Sequence, residues 1–372
     1  MCYVQVFDRF GVYTEATDVV IVLKQQNQQL LQDSLLNALH ASVGNVDATK
    51  SALVLASAVL NQVSCAKAPS CDRLHRFECS KVADTCGVCK AGFIGDAGNA
   101  NSLCFDDNIK TNSSSGSNGK SGCSRDADCA LFESCDVPSR LCLLPSKTCL
   151  NDCSYQGECN SININTRLNV KECKVTDVTC QAKCSCSGNF TGSDCSTNKV
   201  ILLQKQALRT EMLTGLATVV STNTDGGFSA DTLGSLSDML SSLTSNVYEV
   251  SPKMVNTISQ VAYSVLSSAT KSNVTVSYDS LSGLLSSVNT VIQLSNTNAR
   301  SAEVLNLFCD LITSQLVSGE NDVNYIYDEF RMKVVSASLT QGTSLQIVAP
   351  QTVMESTFNS QSASSISIQQ QQ

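Results

Sequence analysis

CQAKCSCSGNFTGSDC, residues 180–195, sets Cys180, Cys184, Cys186 and Cys195 close together, with a Gly-Asn-Phe-Thr-Gly run between the last two. Thiols this crowded can hold a metal, run redox chemistry, or be oxidised in pairs to staple a segment too small to build its own core. Composition narrows the choice. The chain has 20 cysteines in 372 residues, and only Cys2 and Cys309 lie outside 65–195. So dense a stretch reads as a disulfide scaffold. A reducing cytosol would leave such thiols open to unwanted oxidation, whereas an extracellular chain uses them as cross-links. The protein is therefore expected to be extracellular or at the cell surface.

The net charge of -8 is spread along the chain. It includes no basic patch with which to grip a phosphate backbone, so nucleic acid is not an expected partner. The longest apolar stretch, SALVLASAV at 51–59, falls far short of the roughly 20 residues of a membrane span. No span is expected within this chain, and any membrane anchor would lie downstream. MCYVQVFDRF lacks the basic start and apolar core of a signal peptide. With an oxidising destination, this reads as part of a larger protein whose secretion signal lies upstream.

Outward from the cysteines, periodicity alternates between strand and helix. YVQVF, the DRFG turn and TDVVIVL read as strand, turn, strand. Leu31, Leu35, Leu39 and Val43 then mark one face of a helix ending at Gly44. After Asp47 as N-cap, Leu53, Leu60 and Val63 mark a second. Beyond the block the helical period returns. Leu208, Met212, Leu216 and Val219 line one helix; Leu233, Leu236, Leu240 and Leu243 line the next, behind Ser229 as cap. Ser251-Pro252 starts a third, carrying Val255, Ile258, Val261 and Val265. Leu281, Leu284, Leu285, Val288 and Ile292 mark a fourth, and Leu305, Phe308, Ile312 and Leu316, stopped by Gly319, a fifth. Alternation reappears in YIYDEFRMKVV, with Phe330, Met332 and Val334 on one face, and in SLQIV, with Leu345 and Ile347. SSISI then runs into a glutamine tail with no reason to fold. Two helices before the block bury too little to stand alone. They are expected to pack on residues 200–316, with the block an excursion projecting from one end.

The spacing from Cys149 to Cys195, with KTCLNDCSYQGEC, CSCSGNFTGSDC, Gly157 and the Gly188, Phe190, Gly192 run, resembles an EGF-like module. The resemblance implies Cys149 with Cys159, Cys153 with Cys184, and Cys186 with Cys195. The family's acidic calcium signature is replaced by PSKT, so no calcium is expected. A long insertion between Cys159 and Cys184 contains Cys173 and Cys180, whose separation suits a local bridge. CDRLHRFECSKVADTCGVCKAGFIGDAGNANSLC looks like a divergent copy. By analogy Cys89 closes on Cys104, leaving Cys65 with Cys79 and Cys71 with Cys86; spacing alone allows fifteen connectivities. Between the modules, Cys123 with Cys135 and Cys129 with Cys142 would serve as a knot.

The rival chemistries are poorly supported. Cys86-Gly-Val-Cys89 is the only C-x-x-C, and His40 and His75 are the only imidazoles, so neither a zinc ribbon nor a redox pair is complete. His75 reads as a surface residue and His40 as a helix-face residue. Cys309, on an apolar helical face, reads as a buried free thiol, and Cys2 as having a partner upstream. No catalytic motif is present. Asp106, Asp107, Glu320, Asp322, Asp328 and Glu329 read as solvated acids. No active site, metal or cofactor is expected. Asn112, Asn189 and Asn273 stand in N-x-[ST] sequons and predict N-linked glycans; Asn112 lies in a polar linker.

The flanks carry a second resemblance. VQVFDRFGVYTEATDVVIVL is similar to the last strands of repeats in PKD and REJ (receptor for egg jelly) domains, which are β-sandwiches. LTGLATVVSTNTDGGFSADTLGSLSDMLSSLTSN and SPKMVNTISQVAYSVLSSA resemble the helical part of the REJ and GAIN-type regions of polycystin-like and adhesion-receptor proteins, and DEFRMKVVSASL with TSLQIVAP would begin the β part that follows. The His-Leu-Ser or His-Leu-Thr self-cleavage motif of such regions does not occur before Gln372. The fold expected is multidomain α+β: an all-α helical bundle interrupted by disulfide-rich EGF-like modules, with partial β-sandwich strands at both ends. Its parts are terminal strands over 1–24, a helical hairpin over 25–64, a divergent cysteine-rich region over 65–148, an EGF-like module over 149–196, a REJ/GAIN-like helical region over 197–320, and the start of a β domain over 321–372. The function expected is non-enzymatic adhesion or structure, with EGF-like loops presented to an extracellular protein or glycan. The alternative is the regulatory ectodomain of a self-cleaving adhesion receptor or polycystin-like channel.

Overall fold

The computed structural model describes residues 2–7, 13–18, 28–42, 45–106, 122–125, 128–129, 132–222, 228–271, 274–277, 279–295, 299–316, 321–335, 344–358 and 365–369. They form a mixture of helices and small antiparallel sheets. The chain opens with the hairpin β1 (Cys2–Phe7) and β2 (Tyr13–Asp18), in which Phe7 faces Tyr13 and Cys2 faces Asp18. The second strand covers YTEATD, and residues 19–23 of the expected TDVVIVL strand lie outside the described residues.

Two helices follow, α1 (Gln28–Ser42) and α2 (Val46–Leu60). The N-cap of α2 is Asn45, not Asp47: its side-chain oxygen accepts the Ala48 N–H at 3.0 Å, and Asp47 sits in the first turn. From the first half of the cysteine block come the short pairs β3 (Phe93–Ile94) with β4 (Phe105–Asp106), and β5 (Ser134–Asp136) with β6 (Leu141–Leu143). The second half forms β7 (Gly157–Asn163) against β8 (Cys180–Cys186), then β9 (Phe190–Thr191) against β10 (Thr197–Asn198).

Five helices complete the apolar body: α3 (Lys199–Thr222), α4 (Ala230–Thr244), α5 (Val255–Lys271), α6 (Ser282–Ser295) and α7 (Ala299–Gln315). Ser229 caps α4 by accepting the Thr232 N–H, and Ser251-Pro252 opens the 3₁₀ turn that leads into α5. The expected faces of α3, α4 and α5 are buried throughout. On α7 the inward face is Val304, Phe308, Leu311 and Ile312, while Leu305 and Leu316 are half-buried at its edge. The expected positions share one side of a helix of 3.6 residues per turn, but the buried stripe is rotated from their centre toward Val304 and Leu311, with Phe308 and Ile312 common to both.

One apolar cluster joins Leu35, Leu39, Leu53, Ala56 and Leu60 to the inward faces of α3 through α7. Residues separated by the whole cysteine block thus share a core. Leu31 and Val43 lie outside the described side chains, and Val63 is half-buried. Two further antiparallel pairs follow, the hairpin β11 (Val323–Ile326) with β12 (Arg331–Val334), and β13 (Ser344–Val348) with β14 (Ser365–Gln369), whose connection carries the short helix α8 (Val353–Phe358). SISI is therefore a paired strand. Arg331 reaches the Pro350 carbonyl and makes a bidentate ion pair with Glu355, fixing α8 to β12.

A buried polar clasp stands where the chain leaves the helices for the block and returns. Arg209 on α3 is 1% exposed and donates to Glu249 Oε2 at 2.9 and 2.5 Å, to the Ser242 and Leu243 carbonyls at 3.2 and 3.0 Å, and to Asn61 Oδ1 at 2.7 Å. Asn61, which ends α2, in turn donates to the Ser242 carbonyl at 2.9 Å. Lys205 completes the group on Glu249 Oε1 at 2.7 Å. Arg209→Leu is expected to destabilise the helices by about 3–5 kcal/mol, because Glu249 is left buried and undercompensated. The double variant Arg209→Leu, Glu249→Leu should recover most of that loss. Urea unfolding followed by far-UV circular dichroism checks both; equal losses in the single and double variants would mean that the ion pair is not the source.

Candidate functional site

Among the described residues nine cysteine pairs lie at disulfide distance. The 149–195 segment contains Cys149–Cys159, Cys153–Cys184 and Cys186–Cys195, with Cys173–Cys180 closing the inserted loop. Upstream are Cys65–Cys79, Cys71–Cys86 and Cys89–Cys104, then the crossed pairs Cys123–Cys135 and Cys129–Cys142. Cys149–Cys159, Cys153–Cys184 and Cys186–Cys195 join the cysteines that the EGF-like resemblance would pair, and Cys173–Cys180 is the local bridge suggested by their separation. Among the described residues two groups of cysteine sulfurs lie close enough to suggest a metal, Cys123, Cys129, Cys142 and Cys149, Cys153, Cys184. Each contains one bonded pair plus a neighbour bonded elsewhere, so crossing bridges account for both.

Sulfur also supplies the interior. The apolar cluster of the 149–195 segment consists of buried Cys149, Cys153, Cys184 and Cys195, flanked by Ala182, Cys186 and Phe190. Gly157 makes that packing possible. A Cβ there would stand 2.5 Å from the Ser185 carbonyl oxygen, 2.9 Å from Cys195 Sγ and 3.0 Å from Cys186 Cα. Only glycine lets β7 approach β8 and the last bridge this closely.

The loops between Cys71 and Cys104 are organised by a residue whose role the sequence did not reveal. Arg76, in HRFEC, is 0% exposed. Its guanidinium donates to the carbonyls of Ser102 at 2.6 Å and of Gly87, Gly98 and Asp96 at 3.1 Å, and to Ser102 Oγ at 3.1 Å. Five donors in a fixed fork thus gather the loop ends around one side chain. Burial lowers its pKa, opposed by the nearby Asp96 carboxylate. A lone arginine beside a histidine carries no periodic signal, so only the folded loops disclose it. The adjacent His75 is half-buried rather than at the surface: it takes the left-handed conformation at φ 54° and stacks on Phe93 at 4.2 Å. His40 is exposed on α1.

Among the other expected site residues, Asn189 is exposed in the turn before β9, and its carbonyl accepts the Lys199 N–H at 2.8 Å. Asn112, Asn273, Asp107, Glu320 and the Cys2 side chain lie outside the described residues. Cys309 is free and half-buried rather than fully enclosed, with its sulfur 3.0 Å from Met332 Sδ. Burial and the neighbouring Asp310 push its thiol pKa up, which disfavours the reactive thiolate. Asp322 pairs with Lys333 at 2.8 Å. Glu329 is not simply solvated: its backbone N–H bonds Asn289 at 3.0 Å and its carboxylate meets Arg167 at 3.3 Å.

That last contact places the block against the body rather than free of it. So does Phe132, 2% exposed, which packs on Phe105 at 4.6 Å and on Phe358 of α8 at 5.0 Å. The block and the body therefore touch at two points, an ion pair and an aromatic contact. Between the β7–β8 hairpin and the turn joining β11 to β12 lies an open cleft of about 450 Å³, lined by Asn160, Arg167, Asn169, Lys183, Gln293 and Glu329 together with Ile162, Cys184 and Ser185. The block also presents exposed apolar side chains at its loop tips. Tyr155 is 88% exposed and Leu168 68%. Tyr155 ends five consecutive left-handed residues from Asn151, at φ 45–56°, a path that costs roughly 1–2 kcal/mol per residue and that the Cys149–Cys159 and Cys153–Cys184 pairs enclose.

Compared with protein-family models, with curated proteins and with solved structures, the chain finds no match. Among the described residues no helix is long and apolar enough to cross a membrane.

Gly157→Ala is expected to prevent native pairing of Cys186 with Cys195. Secreted protein should fall several-fold and the remainder should show free thiols beyond Cys2 and Cys309 on titration in denaturant. Gly188→Ala, where the added Cβ meets nothing within 4 Å, should cost only about 1 kcal/mol for its positive φ and leave the thiol count unchanged. Equal damage by both variants would remove close packing as the reason for Gly157.

Proposed function

We propose that the chain is a non-enzymatic extracellular interaction or structural protein, in which EGF-like modules present rigid loops to a protein or glycan partner. A REJ/GAIN-like helical bundle is the platform that carries them. The observation that supports this most directly is the sulfur-built interior: nine cross-links hold segments with almost no apolar core, an economy suited to oxidising surroundings. Cross-linking also lowers the entropy lost when a loop is captured by a partner. Rigid, exposed Tyr155 and Leu168 at loop tips are the kind of contact such capture uses. A second reading, the regulatory ectodomain of a self-cleaving receptor or polycystin-like channel, draws support from the passage of helices α3–α7 into the antiparallel pairs β11–β12 and β13–β14.

Beads coated with the oxidised chain are expected to adhere to cell surfaces, and Tyr155→Ala with Leu168→Ala should reduce that adhesion severalfold without changing the melting temperature. Loss of adhesion on mild reduction of the disulfides would agree. Beads that fail to adhere to any of a panel of cell types, or whose adhesion is unaffected by removing both loop tips, would contradict the interaction reading.

A further inference from the structure

The cleft beside the β7–β8 hairpin has a donor set that the framework does not need. Asn160 and Lys183 are directly opposed in the hairpin register, and Asn160 donates through Nδ2 to Ser185 Oγ at 3.0 Å, so its amide oxygen keeps an acceptor role. The exposed side chains of Asn169, Lys183 and Gln293 make no hydrogen bond or ion pair among the described residues. Arg167 uses one guanidinium nitrogen on Glu329 and keeps its remaining donors. Two cations against one carboxylate give the cleft a net positive charge, in a chain whose total is -8. Such a local reversal of sign favours an anionic guest.

The lining also selects among anions. Ligand clefts of roughly 300–1,000 Å³ that take drug-like molecules are mostly apolar, whereas this one, at about 450 Å³, is walled chiefly by amides and charges. Carboxamides offer a donor and an acceptor each, the complement of neighbouring hydroxyl groups. Guanidinium and ammonium groups together recognise a carboxylate. Ile162 and Cys184 supply one small apolar patch for a ring face. An acidic peptide could use the cations and pair its backbone with some of the amides, but it offers no ring face for Ile162 and Cys184, and the tetraglutamate probe below separates the two.

Resting on the interaction-module reading above, we propose that the cleft between the β7–β8 hairpin and the β11–β12 turn binds a carboxylated sugar, with Arg167 and Lys183 on the carboxylate and Asn160, Asn169 and Gln293 on the hydroxyls. Glu329 pairs with Arg167 and competes with the ligand for it.

Calorimetric titration of the secreted, oxidised chain tests this with four probes: a sialylated trisaccharide, an oligouronate, neutral maltotriose and a tetraglutamate peptide. At least one acidic sugar should bind ten-fold or more tightly than maltotriose and tetraglutamate, and the sialate and uronate arms identify which carboxylated ring is taken. Arg167→Ala and Lys183→Ala should each weaken it by about ten-fold, the scale of one hydrogen bond to a charged group. Glu329→Gln should tighten it by about two- to five-fold by freeing Arg167 from a partly exposed pair. A merely structural role for the Arg167–Glu329 contact predicts weakening in both variants instead. Equal binding of maltotriose, equal binding of tetraglutamate, or indifference to both cation substitutions overturns the assignment. Bead adhesion that survives enzymatic removal of sialic and uronic acids from the cells counts against the saccharide while leaving the interaction reading intact. Saccharide binding without bead adhesion does the reverse.

Discussion

Arg209 is where the architecture is decided. Its guanidinium joins the carboxylate of Glu249, the end of α4 and the end of α2 in one buried group. Two charges taken out of water are costly, and a buried ion pair adds little net stability over apolar packing, yet breaking one is severe. Its effect is therefore chiefly one of placement. Asn61 must stand beside Arg209, and those two residues flank a separation of 148 positions in sequence. With exit and return held together, a stapled module can be inserted without stretching the helices that carry it.

Two solutions to the problem of burial coexist in one chain. In the helices, leucines and valines at helical spacing remove apolar surface from water, at roughly 25 cal/mol per Å², and the resulting cluster runs unbroken from Leu35 to Val334. In the block such residues are scarce, and half-cystines occupy the interior. Each bridge contributes about 2–4 kcal/mol by constraining the unfolded chain. Arg76 adds a polar counterpart, a side chain that replaces missing apolar contacts with five hydrogen bonds to loop backbone and Ser102. The two parts then meet through Phe132 on Phe358 and Arg167 on Glu329, and the second of these contacts borders the cleft.

Helices were the most legible part of the sequence, because a repeating apolar face is written several times over within one element; Leu233, Leu236, Leu240 and Leu243 are all buried as their spacing requires. Cysteine spacing with fixed glycines was legible for a similar reason. What escaped depends on distant neighbours. The N-cap fell on Asn45 because a cap is a single hydrogen bond, and Asp47 two residues on has the same chemistry. Arg76, Arg209 and the Arg167–Glu329 contact unite residues far apart in sequence, for which no local period exists. The short helix α8 is six residues long, too short for periodicity to register, and is held by Arg331 and Phe132 rather than by its own propensity.

Excision of residues 65–196 in favour of a short Gly/Ser linker measures the central claim most directly. If α1 and α2 belong to the same core as α3–α7, the shortened chain keeps its helical circular dichroism and a single cooperative unfolding transition, with α1 and α2 protected from hydrogen exchange along with the rest. Loss of the helical signal, or exchange of α1 and α2 as though unfolded while α3–α7 stay protected, would show that the block holds the helices together and that no common core exists without it.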